Sequence, residues 1–213
     1  MTRRRLAPQQ RRAQIVSAAR EHIAGQERSG HPGVAKFSLR DIAAAADVSM
    51  GTVTYHFAGV NEILSAVVIA EAEEFYSEPV EAARAESDPW QALTELIDPM
   101  FADTPRVEAH WRIWAHYWAA VARHPQMAEA YFDRIRHWEA CCAEVVARGV
   151  EQGAFREVDP GETALKLGSY ANGLGTQRAQ GVSSLTAEKA RQWLHEFARA
   201  LLLAGEGAGG EAC

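Results

Sequence analysis

Cysteine is scarce in this 213-residue chain, which has only three. Cys141 and Cys142 are adjacent, and Cys213 stands far from both. An odd count with this spacing matches neither a disulfide framework nor a Cys-x-x-Cys metal site. We therefore expect reduced thiols, with the adjacent pair packed inside a helical core.

Long apolar runs are also missing. The run in the middle of the chain, residues 66–70, has five residues, whereas a helix needs about 20 to cross a bilayer. The first twelve residues are basic, but no apolar stretch follows them as it would in a secretory signal. We expect a cytoplasmic protein without a membrane span.

The alternation of apolar and polar residues that marks half-buried strands is absent, and helical periodicity takes its place. Ala, Glu, Arg, Leu and Gln are abundant and favour helix. The sequence therefore predicts an all-α fold. Helices are predicted at about 8–26, 39–46, 50–57, 60–76, 89–102, 106–123, 125–152, 160–180 and 186–204, with a kink or a new helix at Pro79.

Positive charge is in short supply overall but not at the N-terminal end. The formal net charge is −6, from 22 Lys and Arg against 28 Asp and Glu. Residues 1–65 nevertheless hold nine basic and five acidic side chains, so the remaining residues carry −10. A basic N-terminal part and an acidic body are consistent with a polyanionic partner for the former, although many solvated surfaces are equally uneven.

Residues 38–57 predict two short helices joined by a tight turn. Ser38 has the features of an N-cap with an acid, Asp41, three residues later. Residues 47–49 interrupt the helical pattern, and Ser49 can cap the next helix. Two short helices with this connection form a helix-turn-helix.

The second of these helices has the chemistry of a major-groove reader. Its N-terminal half carries Ser49, Thr52 and Thr54, which offer hydroxyl groups on small side chains, and Gly51, which adds no bulk. Such a helix must fit a groove about 12 Å wide, and its N-terminal N–H groups can meet phosphate oxygens. Val53 and Phe57 belong to the other faces, which suits them to packing.

Residues 12–19 (RAQIVSAA), 38–43 (SLRDIA) and 46–57 (ADVSMGTVTYHF), with Ile63 and Leu64, resemble the tetracycline-repressor (TetR) family of bacterial transcription regulators. The resemblance implies that Ser38 and Tyr55 touch the DNA backbone and that Thr52, Thr54 and His56 lie near bases or phosphates. The candidate DNA-binding residues are Ser38, Arg40, Ser49, Gly51, Thr52, Thr54, Tyr55 and His56.

Simpler interpretations remain open for several of these residues. Capping alone explains a serine at positions 38 and 49. Tyr55 could be a half-buried packing residue, and His56 a histidine without a DNA contact. The arginines at positions 3–5 are either an arm that reaches phosphates or a solubilising tail.

The chain departs from the family pattern at three places. Val60 replaces a usual lysine, which should remove one phosphate contact and about 0.9 from the salt slope. Asp47 replaces the usual turn glycine, and aspartate tolerates the left-handed region better than most residues. Residues 28–34 lengthen the loop before the second helix.

The body is expected to form the dimer contact and, as the family resemblance implies, to hold a small-molecule pocket. The body also resembles the C-terminal domain of the betaine-pathway repressor (BetI), at Gly153–Phe155, Asp159 and residues 172–174. The last two helices are the dimer candidates, in two stripes that could equally face the chain's own core. The stripes are Leu165, Gly168, Ala171, Leu174 and Gly175 on the first helix, and Trp193, Leu194, Phe197 and Leu201 on the second.

Tryptophans at positions 111, 114 and 118 share a helix face beside Tyr117, and Tyr131, Ile135 and Trp138 repeat this spacing on the next. Apolar stripes of this kind are usually core, but several indoles around one cavity can hold an aromatic or cationic ligand. The ligand-binding candidates are Phe101, Trp111, Trp114, Tyr117, Trp118, Trp138 and Asn172. The histidines have no metal spacing, and no cofactor is expected.

We therefore predict a DNA-binding domain at residues 1–65, a ligand-binding and dimerisation domain at 66–204, and a disordered tail at 205–213. The predicted function is a homodimeric regulator, a repressor in the first instance, that leaves a palindromic operator when an unidentified small molecule binds. An enzyme and a ligand-independent architectural DNA binder are the alternatives. The sequence shows no nucleophile paired with a general base that would support the enzyme.

Overall fold

The computed structural model describes residues 7–25, 37–128 and 136–203. Regular structure in these ranges is helical, without a strand, so the all-α prediction is confirmed. A single 3₁₀ turn, Asp98–Phe101, follows the fifth helix. The helices are α1 (Pro8–Ala24), α2 (Leu39–Ala45), α3 (Met50–His56), α4 (Val60–Ala85), α5 (Pro89–Ile97), α6 (Pro105–Val121), α7 (His137–Glu151), α8 (Pro160–Ala179) and α9 (Ala187–Leu202).

The predicted end of α4 near residue 76 is wrong, because the helix continues through Pro79 to Ala85. A proline inside a helix removes one hydrogen bond and crowds the preceding turn. The apolar face nevertheless continues on both sides of Pro79, since Phe75, Tyr76, Val80 and Ala83 are all buried. Burial of this face outweighs the local cost of the proline.

The prediction of one uninterrupted helix over residues 125–152 is also wrong. Arg136 has φ −102° and ψ 19°, outside the helical region, and α7 begins only at His137. The Arg136 side chain is ion-paired with Glu139 in the first turn of α7. Glu139 lies in the first turn of α7, where an acid is favoured because it interacts well with the partial positive charge of the helix N-terminus.

The chain forms two compact units. The first comprises residues 1–73, 108–135 and 179–181, and the second comprises residues 74–107, 136–178 and 182–213. In the first unit, α1, α2 and α3 pack around a common core and are joined by the first part of α4 and most of α6. Its fully buried side chains include Ile15, Ala19, Ile23, Ile42, Val53, Ile63, Val67 and Val68.

The second unit is organised around α5, which packs against α7 and α9. Trp138 on α7 donates its indole N–H to the carbonyl oxygen of Leu96 at 2.9 Å. Cys141 and Cys142 are free thiols buried in this core, as predicted, and burial raises the pKa of the Cys142 thiol. The functional boundary expected at residue 65 stays a prediction.

Within the described ranges, no single helix is long and apolar enough to span a membrane; α3 and α4 would meet that test only together, as a pair bent by 69°. Several sequence predictions lie outside the described residues. They concern Arg3, Arg4 and Arg5, the loop at 28–34, Tyr131, Ile135, Cys213 and the tail at 205–213.

Two glycines in the second unit provide a test of its packing. A Cβ atom at Gly149 would lie 2.8 Å from Cγ of Phe155, a buried ring, whereas a Cβ at Gly173 would meet nothing within 4 Å. We expect Gly149→Ala to lower the free energy of unfolding by about 2 kcal/mol through overpacking. Gly173→Ala is the matched control and should raise that free energy by about 0.5–1 kcal/mol, because alanine favours helix. Urea unfolding followed by circular dichroism measures both; equal effects would contradict the packing described.

Candidate nucleic-acid interface and aromatic cluster

The start of α2 is fixed by a reciprocal cap. The Ser38 hydroxyl oxygen accepts from the Asp41 backbone N–H at 3.3 Å, and the Ser38 backbone N–H donates to the Asp41 carboxylate at 3.2 Å. The Ser38 hydroxyl also donates to this carboxylate at 2.5 Å. These hydrogen bonds hold the pKa of Asp41 below its ordinary value. The predicted capping role of Ser38 is therefore confirmed.

The turn between α2 and α3 depends on Asp47. Its φ is 50°, in the left-handed region where non-glycine residues are uncommon. Aspartate is one of the few residues that tolerate this conformation, so the replacement of the usual glycine keeps the tight turn. The α3 helix then begins at once, with the Ser49 hydroxyl oxygen accepting from the Thr52 backbone N–H at 3.1 Å.

Helix α3 divides into an outward face and an anchored face. Tyr55 is 80% exposed and Met50 is 43% exposed, whereas Val53 and Phe57 are almost completely buried. The Thr54 hydroxyl, on the outward face, donates to the Met50 carbonyl oxygen at 3.1 Å. The sequence predictions that Val53 and Phe57 pack inward are confirmed, and Tyr55 is not a half-buried packing residue.

Arg12 on α1 holds the C-terminal end of α3 in position. Its guanidinium lies 4.0 Å above the centre of the Phe57 ring and donates to the His56 carbonyl oxygen at 2.5 Å. It also forms an ion pair with Glu62 on α4 at 2.8 Å. One side chain thus joins α1 to the end of α3 and to the start of α4.

Glu62 and Gln14 complete this framework. Burial of the Glu62 carboxyl opposes its ionisation, but hydrogen bonds from the Ala58 backbone N–H and from Arg12 outweigh that effect, and the pKa of Glu62 lies below its ordinary value. The Gln14 side-chain amide donates to the carbonyl oxygen of Ala46, at the end of α2, at 3.0 Å. Both connections hold α2 and α3 on α1.

The structure places the candidate DNA-binding residues along one short stretch of chain, and most of them reach solvent. Ser38, Thr52 and His56 are partly buried. The His56 ring packs edge-on against the Tyr55 ring at 5.0 Å. The exposed members are Arg40, Ser49, Gly51, Thr54 and Tyr55.

A second feature of the first unit is a set of four aromatic side chains on α6, which we call the α6 aromatic cluster: Trp111, Trp114, Tyr117 and Trp118. The Trp114 and Trp118 rings are stacked, with centroids 5.5 Å apart and an interplanar angle of 28°. Trp111, Trp114 and Tyr117 are buried. The buried indole N–H groups of Trp114 and Trp118 have no hydrogen-bond partner among the described residues.

Two family models match the chain over these regions. Residues 15–67 match the model of bacterial regulatory proteins of the tetR family. Residues 89–203, more than half of the chain, match the model of the BetI-type transcriptional repressor, C-terminal. The chain belongs to the TetR family of transcriptional regulators. The resemblance seen in the sequence is therefore confirmed for both halves, and membership of this family implies a regulator rather than an enzyme.

Solved structures of other transcriptional regulators share the fold. A transcriptional regulator from Saccharomonospora viridis in complex with choline has a TM-score of 0.74 and 24% identity, covering 91% of this chain and 98% of that one. A TetR-family regulator from Rhodococcus sp. has a TM-score of 0.74 and 21% identity, covering 90% and 98%. The fatty acid degradation regulator FadR from Bacillus halodurans has a TM-score of 0.67 and 17% identity, covering 92% and 96%. No curated protein gives a significant match.

Sequence reasoning missed the residues that hold this TetR head together. Arg12 and Gln14 lie inside the motif at 12–19, but their partners are 44 and 32 residues away. Only the alternation of polar residues with the buried Ile15 and Ala19 on α1 could have singled them out. Phe101, Trp138 and Asn172 belong to the second unit, and their predicted ligand role stays a prediction.

The cap of α2 makes the stability of the head depend on pH in a defined direction. Because the pKa of Asp41 is lowered on folding, its carboxylate stabilises the fold above the ordinary value of 3.8, and this contribution disappears as the pH falls through the lowered value. We expect Asp41→Asn to lower the free energy of unfolding by the same amount at pH 7 and pH 5.

At pH 3, below the ordinary value of 3.8, the difference in the free energy of unfolding between Asp41→Asn and the wild type should be smaller than at pH 7, as measured by urea unfolding. Asp103→Asn, which changes an exposed carboxylate in a loop, serves as the control and should differ little from the wild type at any pH. A deficit in Asp41→Asn that is as large at pH 3 as at pH 7 would argue against the charged cap.

Proposed function

We propose that the protein is a homodimeric repressor that binds a palindromic operator through α3 and releases it when a small molecule binds the body. The observation that carries the proposal is the division of α3 into two faces. Val53 and Phe57 are fixed in the core, whereas Gly51, Thr54 and Tyr55 are exposed, as is Arg40 on α2. A rigid anchor with small polar groups outside is what a major-groove helix requires.

The last two helices supply the proposed dimer surface. Leu165 on α8 and Trp193 on α9 are 49% and 43% exposed, which is unusual for large apolar side chains. Phe197 and Leu201 are partly buried, with Phe197 4.7 Å from Tyr170. Of the remaining candidates, Ala171, Leu174, Gly175 and Leu194 are buried within the single chain, and Gly168 is partly buried. Pairing the exposed residues across a twofold axis would cover them.

The α6 aromatic cluster is the proposed effector site. Burial alone would also suit a structural core, but two buried indole N–H groups with no acceptor in the described part of the chain are costly in a finished core. A ligand oxygen would satisfy them. Indole faces attract quaternary ammonium groups, and one structural relative has been solved in complex with choline. Choline, which carries both a cation and an oxygen, is therefore the first compound to test.

The first experiment is a footprint of the purified protein on intergenic DNA next to its own gene, with and without a metabolite panel that includes choline. The expected result is a protected site with twofold symmetry, occupied by two chains and sensitive to salt. If the protein binds this DNA no better than random duplex DNA at every salt concentration, the proposal is wrong.

Two substitutions should weaken operator binding without affecting the fold. Tyr55→Phe removes an exposed hydroxyl, and we expect operator affinity to fall about three- to tenfold if that hydroxyl meets a phosphate. Arg40→Gln should reduce the slope of log K against log salt by about 0.9 for each phosphate that the side chain no longer neutralises. Fluorescence anisotropy with the footprinted duplex measures both quantities.

Tyr170→Phe makes the same chemical change on α8, where the tyrosine is partly buried. It should leave operator affinity within about twofold of the wild type, below the scale of one hydrogen bond. Equal effects of Tyr55→Phe and Tyr170→Phe on affinity would show that position 55 has no special place at the DNA.

Replacement of Trp114 tests the effector site. Trp114→Phe removes the indole N–H and weakens cation–π attraction, so choline affinity should fall about fivefold or more. Isothermal titration of the free protein measures it. The neutral isostere 3,3-dimethylbutanol should bind more weakly than choline. Trp193→Phe on α9 should leave choline affinity unchanged. Choline binding that is unchanged by Trp114→Phe would place the effector elsewhere.

A further inference from the structure

A buried carboxylate lies between three helices of the first unit. Glu71 on α4 is only 2% exposed, yet both of its oxygens have charged or polar partners. Oε2 lies 2.6 Å from Nε of Arg20 on α1, and Oε1 lies 2.9 Å from Nδ1 of His110 on α6. His110 is fully buried, and the Arg20 side chain is 23% exposed.

We propose that Glu71 is a positioning residue: it couples the position of α1, and with it the DNA-binding head, to the position of α6. One carboxylate holds Arg20 and His110 at the same time, so α6 cannot shift relative to α4 without disturbing the contact to α1. This inference rests on the proposed DNA-binding function and assigns its control to a named residue.

Energetics favour this role over simple stabilisation. Removing a carboxylate from water is costly, and buried ion pairs are often no more stabilising than apolar side chains of the same size. An apolar contact, however, permits sliding, whereas a carboxylate with one partner on each oxygen fixes both direction and distance. The cluster is therefore better suited to defining a geometry than to adding stability.

The contacts on either side of Glu71 extend this geometry in both directions. On the α6 side, the His110 ring lies 5.2 Å from the Trp111 ring and 6.1 Å from the Trp114 ring, both in the α6 aromatic cluster. On the α1 side, Arg12 holds the end of α3 through the His56 carbonyl oxygen. A change at the α6 aromatic cluster thus has a continuous set of contacts, through Glu71 and α1, to the C-terminal end of α3.

A second contact between α6 and α1 does not involve Glu71. Arg112 donates to the Ala24 carbonyl oxygen, at the end of α1, at 2.7 Å. It provides an internal comparison, because its removal should loosen α1 whatever residue stands at position 71.

The decisive measurement is amide hydrogen exchange of α1 in the free full-length protein. His110→Leu removes the partner on α6, and we expect exchange in α1 to rise about fivefold or more, the scale of coupling between contacting residues. His110→Asn, which can place an amide nitrogen near the position of Nδ1, should restore most of the protection. In the Glu71→Gln background, His110→Leu should add less than about twofold.

Two controls separate positioning from general loosening. Glu74→Gln removes an exposed carboxylate from the same helix, ion-paired with Arg106 at 3.0 Å, and should leave exchange in α1 unchanged. Arg112→Gln should raise exchange at the end of α1 equally with Glu or Gln at position 71. If His110→Leu has the same effect in both backgrounds, or if His110→Asn does not restore protection, Glu71 does not transmit the position of α6.

The result can be distinguished from a failure of the proposed function. If Glu71→Gln does not fold, the comparison of His110→Leu with His110→Asn decides alone. If the wild type binds no operator, the proposed function is wrong, while exchange in α1 still tests Glu71. Where an operator is found, His110→Leu should change operator affinity in the wild-type background. In the Glu71→Gln background, the same substitution should change operator affinity little.

Discussion

The placement of α3 depends on one guanidinium. Arg12 covers the Phe57 ring, binds the last carbonyl of α3 and pairs with Glu62 at the start of α4. A helix of seven residues has too few internal hydrogen bonds to be stable alone. Its geometry must therefore come from the surrounding elements, and the exposed residues of α3 keep their positions only because the opposite end is fixed.

The head therefore combines two kinds of constraint. Local constraints, namely the caps at Ser38 and Ser49 and the left-handed Asp47, define where α2 and α3 begin and how they turn. Contacts between elements, from Arg12 and Gln14, define where the pair sits on α1. Glu71 adds a contact of the second kind and includes α6, so the TetR head is held through polar groups at several of its junctions.

The α6 aromatic cluster shows how little a residue pattern says about chemistry. Spacing of i, i+3 and i+7 was enough to predict one shared face for Trp111, Trp114 and Trp118, and the stacking of the Trp114 and Trp118 rings agrees with it. The same pattern could not distinguish Trp138, whose N–H is satisfied by Leu96, from Trp114 and Trp118, whose N–H groups have no acceptor among the described residues. That distinction depends on which carbonyl the fold brings near each indole.

The sequence by itself determined the helical class, the two caps, the turn at Asp47 and the TetR family, because each depends on residues within one or two helical turns. Tertiary structure alone decided that α4 passes through Pro79 and that the helix predicted over 125–152 is interrupted at Arg136. It also decided that Glu71 pairs with Arg20, 51 positions before it, and with His110, 39 positions after it. Packing between distant segments outweighs local propensity at such positions, and no short stretch of sequence records which segments will meet.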